Sequence, residues 1–274
     1  MSSNSLTNKV AVITGGISGI GYACAERFAE EGASLVLADL TSVEHPDKGA
    51  EVARQLQADY GVEVIFVATD VTQEADVEAL GAAVLDRFGR VDAVVAAAGI
   101  ASGSRAAGAA LGADADPDEN LIINKPLSSW QKVLDVNLTG VMLTNKVMAR
   151  LMIDGGTKGT IVNIASVAAR QPLVNAADYC VSKAGVEMLT KVLSLELMPH
   201  EIRVNSIGPG FVETPMTANL RSENEGNMMA MSMTPMARYG KPEEIAETAL
   251  FLSTSVSSYF TGQILFPAGG MFTG

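Results

Sequence analysis

With 274 residues, 48% of them hydrophobic, the chain can bury a sizeable core, and α/β domains of this length commonly fold as one unit, so a single domain over 1–274 is expected. A net charge of −12 and the lack of any basic cluster argue against nucleic acid or an anionic membrane surface as partner. Cys24 and Cys180 are the only cysteines and His45 and His200 the only histidines, which excludes a disulfide framework and a dense Cys/His metal site; no metal is expected, and a reducing, cytoplasmic setting fits. No apolar run reaches the roughly 18 residues of a membrane span, and residues 1–8 read as polar rather than as a secretion signal, so no membrane part is expected.

An apolar run at 10–13 leads through Thr14-Gly15-Gly16-Ile17-Ser18-Gly19-Ile20-Gly21 into a helical pattern with Tyr22, Ala25, Phe28 and Ala29. Glycine lets such a strand–turn–helix bend sharply and leaves room for a ligand, and the free amides at the helix N-terminus favour an anion such as pyrophosphate. A purely structural turn would look the same. About 20 residues on, a strand at 34–38 ends in Asp39, where a carboxylate can bind ribose hydroxyls, and the two signals together point to a dinucleotide. Asp39 also repels a 2′-phosphate, and neither Ala38 nor Leu40 supplies a positive charge, so NAD is favoured over NADP.

The alternation continues with a helix at 47–60, a strand at 62–69, a helix at 73–88 and a strand at 91–98, which implies βαβ crossovers and a parallel sheet. Asp70 and Val71 after the third strand and Gly99 after the fourth fall on the edge where a cofactor would lie; Asp70 can equally cap the next helix. Residues 100–121, with an acidic run at 114–119, break the rhythm and read as a loop that either shapes the substrate entrance or is a solvated insertion. Ser128 reads as the N-cap of a helix carrying Trp130, Val133, Leu134, Asn137, Val141 and Val147. On that largely apolar helix the Asn137 amide must find a partner: it holds a water, perturbs the helix hydrogen bonds, or is structural.

A strand at 161–164 runs to Ser166, at the strand end where open α/β sheets place ligands. Tyr179 and Lys183 follow four apart on one face of a helix at 178–198, and an ammonium there favours the phenolate and draws the phenol pKa down from about 10. Spacing alone equally fits a half-buried Tyr and a surface Lys. A strand at 202–207, the turn Gly208-Pro209-Gly210, a helix at 242–252 and a strand at 263–266 complete a seven-stranded parallel sheet with helices on both faces, a Rossmann-type doubly wound fold. Residues 211–237 hold six of the 13 methionines, namely Met216, Met228, Met229, Met231, Met233 and Met236, and form either a flap over an apolar substrate or a packing or subunit contact.

These motifs resemble the short-chain dehydrogenase/reductase family, from Lys9 to Gly270. The glycine turn fits that family's Thr-Gly-x-x-x-Gly-x-Gly form, Asp39 matches its NAD-selecting acid, and Asn137, Ser166, Tyr179 and Lys183 fall on its catalytic tetrad. The resemblance implies a cofactor-binding set of Gly15, Ser18, Gly19, Ile20, Gly21, Asp39, Leu40, Asp70, Val71, Ala97, Ala98, Gly99, Tyr179, Lys183, Pro209, Gly210, Val212 and Thr214. It further implies that Tyr179 exchanges a proton with the substrate oxygen, Ser166 steadies that oxygen, Lys183 binds nicotinamide ribose and lowers the Tyr179 pKa, and Asn137 supports a water relay. The expected activity is NAD-dependent interconversion of a hydrophobic secondary alcohol and its ketone by a homotetramer. Reduction of 3-oxoacyl thioesters with NADPH, or a catalytically silent NAD-binding regulator, are the alternatives. Two places depart from the family: Ala96-Ala97-Ala98-Gly99 replaces Asn-Asn-Ala-Gly, losing amides that brace the sheet centre, and Pro267-Ala268-Gly269-Gly270 lacks the usual acid.

Overall fold

The computed structural model describes residues 5–41, 44–101 and 120–274; most of the expected loop at 100–121, including its acidic run, lies outside the described residues. The chain enters β1 (Val10–Thr14), α1 (Gly19–Glu30), β2 (Ser34–Asp39), α2 (Lys48–Tyr60), β3 (Val64–Ala68), α3 (Glu74–Phe88) and β4 (Ala93–Ala96). It continues with α4 (Leu127–Leu134), α5 (Gly140–Asp154), β5 (Thr160–Ile164), α6 (Ala177–Glu196), β6 (Arg203–Ile207), α7 (Ala218–Ser222), α8 (Asn224–Met233), α9 (Pro242–Ser253) and β7 (Ile264–Leu265). The seven strands are parallel, in the order β3-β2-β1-β4-β5-β6-β7.

Strands such as β1, Val-Ala-Val-Ile-Thr, are apolar throughout because helices cover both sheet faces. Ala11 and Ile13 pack with Cys24, Phe28, Ile245 and Leu250 of α1 and α9, while Val10 and Val12 pack with Leu80, Met148 and Met152 of α3 and α5. The strand order reverses between β1 and β4, and a crevice at such a switch point is where doubly wound sheets bind ligands.

Several boundaries differ from expectation. The third strand stops at Ala68, so Asp70 and Val71 lie in the connection, and Asp70 Oδ1 accepts from the Thr72 N–H and hydroxyl at 2.9 and 2.7 Å. Pro126, not Ser128, is the N-cap of α4, because its extended backbone already sets the helix to begin at Leu127. The expected single helix through Asn137 is interrupted by a π-helical turn at Asp135–Thr139, discussed below. Residues 211–237, which gave no strand signal, contain the short helices α7 and α8.

At the opposite edge of the sheet, Asp92 is buried and accepts from the Val10 N–H at 3.0 Å, from Arg90 and from Lys9. Burial opposes its ionisation, but the bonds from Arg90, Val10 and Lys9 outweigh it and hold the carboxyl below its ordinary pKa. A depressed carboxyl pKa contributes stability above the unfolded value of about 3.9 and loses it as pH falls through the folded value. Asp92→Asn should therefore cost about 1–3 kcal/mol at neutral pH. Thermal melts between neutral and acidic pH should show a smaller acid-induced loss in the variant than in the wild type.

Candidate active site

The glycine turn is built by close approach. Gly15 has φ +67°, and a Cβ there would lie 2.9 Å from the Ala98 nitrogen and 3.0 Å from the Ala97 carbonyl. Gly21 passes so near the Gly15 carbonyl oxygen that any Cβ would collide with it, and a Cβ on Gly19 would touch Thr214 at 3.3 Å. The turn is thus pressed against the ends of β4 and of the segment after β6. Despite the missing amides, the Ala96–Gly99 turn is held: Ala97 N–H donates to the Thr14 carbonyl at 3.2 Å and Ala98 N–H to the Thr14 hydroxyl at 3.3 Å.

Ser18, exposed at the N-cap of α1, makes no capping bond, and the first turn of α1 holds no acid, so its positive end is available to an anionic ligand. Asp39 accepts from Leu40 N–H at 2.8 Å and Ile17 N–H at 3.4 Å; Leu40 is exposed. Burial raises the Asp39 pKa against those bonds and the charge of Lys48. Val71 packs on Gly140 at the start of α5, leaving no room there for a side chain. These glycines let the turn pack on itself and on the β4 exit, and the uncapped N–H groups of α1 that it presents fit the pyrophosphate of a dinucleotide.

Asn137 sits in the π-helical turn, fully buried. Its Oδ1 accepts from Ile100 N–H at 2.8 Å, and its Nδ2 donates to Ile100 O at 2.9 Å and to Ser182 Oγ at 3.3 Å. The amide clamps the strand exit after Gly99, and the helix is widened at that point. A Cβ on Gly99 would lie 3.3 Å from Asn137 Oδ1 and 3.6 Å from Lys183 Nζ, which places all three together.

Lys183 is buried, and its Nζ donates to the Ile164 carbonyl at 2.9 Å and lies 5.7 Å from the Tyr179 ring centroid. Burial lowers the ammonium pKa to about 8. For Tyr179 the expected sign is reversed: burial raises the phenol pKa, a hydrogen bond with Ser166 lowers it, and Cys180 raises it. The reason is that Lys183 lies over the ring face and spends a donor on Ile164, while desolvation penalises the phenolate.

Pro209 and Gly210 connect the site to the C-terminus: Val167 N–H donates to Pro209 O at 3.0 Å, and a Cβ on Gly210 would lie 3.0 Å from Ala268 Cα. Val212 is buried and pairs with Gly240 in an isolated bridge, and Thr214 starts a 3-10 turn at Pro215–Thr217. Next in the chain to Ser166, Val167 enters an apolar cluster with Leu173, Phe211, Met233, Phe266, Ala268, Met271 and Phe272, whose members outside 211–237 the sequence reading missed. Only the concentration of Phe and Met at 266–272 signalled it. Of the six flap methionines, Met233 joins this cluster, whereas Met216, Met228, Met229 and Met236 are exposed.

The fold is of the Rossmann type, the doubly wound architecture of dinucleotide-binding proteins. A sequence profile described as enoyl-(acyl carrier protein) reductase matches residues 15–272. The chain is 35% identical to glucose 1-dehydrogenase 2 of Bacillus subtilis (strain 168) across 97% of this chain and 95% of that one. It is 36% identical to cis-4-hydroxycyclohexanecarboxylate dehydrogenase of Sinomonas cyclohexanicum across 96% of each. The crystal structure of a short-chain type dehydrogenase/reductase from Mycobacterium marinum superposes with a TM-score of 0.85 at 33% identity, covering 98% of this chain and 97% of that one. The chain belongs to the short-chain dehydrogenase/reductase family, whose members use nicotinamide cofactors.

Gly21→Ala should weaken dinucleotide binding about 10- to 100-fold, because relieving the clash with Gly15 opens the turn at a cost typical of overpacking. Fluorescence titration with NADH and NADPH checks this; wild-type affinity in the variant would show that the turn is not the cradle.

Proposed function

We propose that the protein is an NAD-dependent dehydrogenase/reductase interconverting a hydrophobic secondary alcohol and its ketone, with the chain acting as one cofactor-binding and catalytic unit in the cytoplasm. The observation that carries the substrate class is the apolar cluster beside Ser166, which offers a greasy wall to the molecule whose oxygen meets Tyr179. The hydroxycyclohexanecarboxylate named for the Sinomonas relative carries its hydroxyl on a ring carbon, which supports the secondary-alcohol part of this reading.

Gly15, Ser18, Gly19, Ile20 and Gly21 would hold the pyrophosphate, Asp39 and Leu40 the adenosine ribose, and Asp70 and Val71 the adenine side. Ala97, Ala98, Gly99, Pro209, Gly210, Val212 and Thr214 would flank the nicotinamide half. When bound, the cofactor supplies the hydride acceptor or donor. Ser166 donates to the substrate oxygen and orients it toward Tyr179. Tyr179 gives its proton to a ketone oxygen in reduction, the protonated phenol being the form that burial favours, and as the phenolate takes a proton from the alcohol in oxidation. Lys183 keeps donors for the nicotinamide ribose, and Asn137 fixes the strand exit against which it lies.

A panel of cyclic and linear secondary alcohols and ketones, followed by NADH absorbance, tests the reading. Turnover should favour NADH over NADPH, and Tyr179→Phe should lose at least about 100-fold in kcat with NADH affinity retained. NADPH preference with turnover of 3-oxoacyl thioesters would favour the thioester-reductase alternative; tight NADH binding with no turnover would favour a binding module.

We also infer a homotetramer. One face of α6 presents Val181, Met188, Val192 and Leu195 to solvent, a spacing that lines one side of a helix and calls for an apolar partner surface. Met188→Glu should lower the mass measured by light scattering; an unchanged tetramer would remove this face from the interface.

A further inference from the structure

The far end of α8 is docked on the turn that follows β7, and none of the roles assigned above uses that contact. Met236 N–H donates to the Gly269 carbonyl at 3.0 Å, and the buried Thr234 hydroxyl donates to the Ala230 carbonyl at 2.8 Å. Gly269 and Gly270 have φ of +59° and +87°. A Cβ on Gly269 would lie 2.8 Å from Thr234 Cγ2, and a Cβ on Gly270 would lie 3.0 Å from Pro235 Cβ and Cγ. Both positions therefore call for glycine on two counts, the backbone conformation and the approach of residues 234–236. Ala230 is the one buried residue of α8, so the helix depends on what holds its end.

The same turn leads into the apolar cluster. Met271 and Phe272 pack there with Met233, the last residue of α8. The Phe272 ring lies 4.5 Å from that of Phe266, centroid to centroid. Phe266 in turn covers Gly208, where a Cβ would lie 2.5 Å from the Phe266 ring and 3.3 Å from the Ser166 carbonyl carbon. Contacts thus run from the Ser166 backbone through Gly208, Phe266 and Phe272 to the cluster that holds Met233.

We propose that Gly269 and Gly270 are positioning residues for the substrate: their side-chain-free turn clasps residues 234–236, holds α8 in place, and so fixes Met233 in the wall that sets how large a substrate fits. The proposal rests on the reading of that wall as the substrate's.

Gly269→Ala and Gly270→Ala each force a methyl into the clasp and should release α8. Trypsin cleavage after Arg221 and Arg238, which flank the helix, should quicken about 10-fold, since cleavage follows the open population. For the bulkiest alcohol that the wild type turns over, KM should rise about 10-fold while kcat and NADH affinity stay within about 2-fold, the pattern of lost substrate binding rather than lost chemistry. Thr234→Ser removes the Cγ2 that a methyl on residue 269 meets and keeps the hydroxyl. It should restore much of both readouts to Gly269→Ala and nothing to Gly270→Ala, whose methyl meets Pro235. Gly61→Ala brings similar backbone strain at φ +68°, with no atom within 4 Å, and should leave both readouts at wild type. Circular dichroism confirms that each variant is folded; where Gly270→Ala does not fold, Gly269→Ala with and without Thr234→Ser carries the test. Selective rescue supports the proposal. Readouts unmoved in the glycine variants, or moved equally by Gly61→Ala, overturn it and leave the proposed function standing when the wild type turns over alcohols. Faster cleavage with unchanged KM also overturns it. A wild type that turns over no alcohol overturns both.

Discussion

The site depends on how closely backbone passes backbone at the switch point between β1 and β4. Gly15 is pressed on the Ala97–Ala98 backbone, Gly21 on the Gly15 carbonyl, and Gly19 on the Thr214 side chain, so three segments distant in sequence meet at the glycine turn. Parallel strands deliver these loops to one edge of the sheet because every right-handed crossover returns the chain to the same end. Thr14, last residue of β1, then holds the β4 exit through its carbonyl and its hydroxyl, which makes the braces lost at Ala96 and Ala97 dispensable for the turn.

Behind that edge, charge is buried rather than solvated. Lys183 is deprived of water and loses affinity for its proton, Tyr179 resists ionisation for the same reason, and the ion pair of Lys125 with Asp178 lies out of water altogether. In such surroundings one hydrogen bond or one unmatched charge acts through a weakly screening medium. The same burial lowers the Lys183 ammonium pKa to about 8 and raises that of the Tyr179 phenol above its ordinary value.

Much of this was legible in the residues. The seven strands, the glycine turn and the carboxylate that ends β2 follow from period and spacing, because parallel βα units bury both sheet faces and leave a strong apolar signal. Asn137 was legible as an amide in need of a partner, and the π-helical turn is the form its answer takes: the side chain spans to Ile100, and the helix gives up regular bonding to let it. Less legible were the start of α4, where Pro126 precedes the serine that looked like a cap, and the wall formed by Met233, Met271 and Phe272. That wall joins α8 to the C-terminus, a contact no local pattern encodes.

By itself, then, the sequence determined the alternation of strands and helices and pointed to the family, and through that resemblance it put forward Asn137, Ser166, Tyr179 and Lys183 as candidate site residues. Only the tertiary structure decided the sign of the Tyr179 shift, the pairing of Lys125 with Asp178, and the apolar lining beside Ser166. The physical reason is common to all three. Desolvation and ion pairing depend on which groups are excluded from water together, and that is set by packing between separate elements, not by the spacing of residues along any one of them.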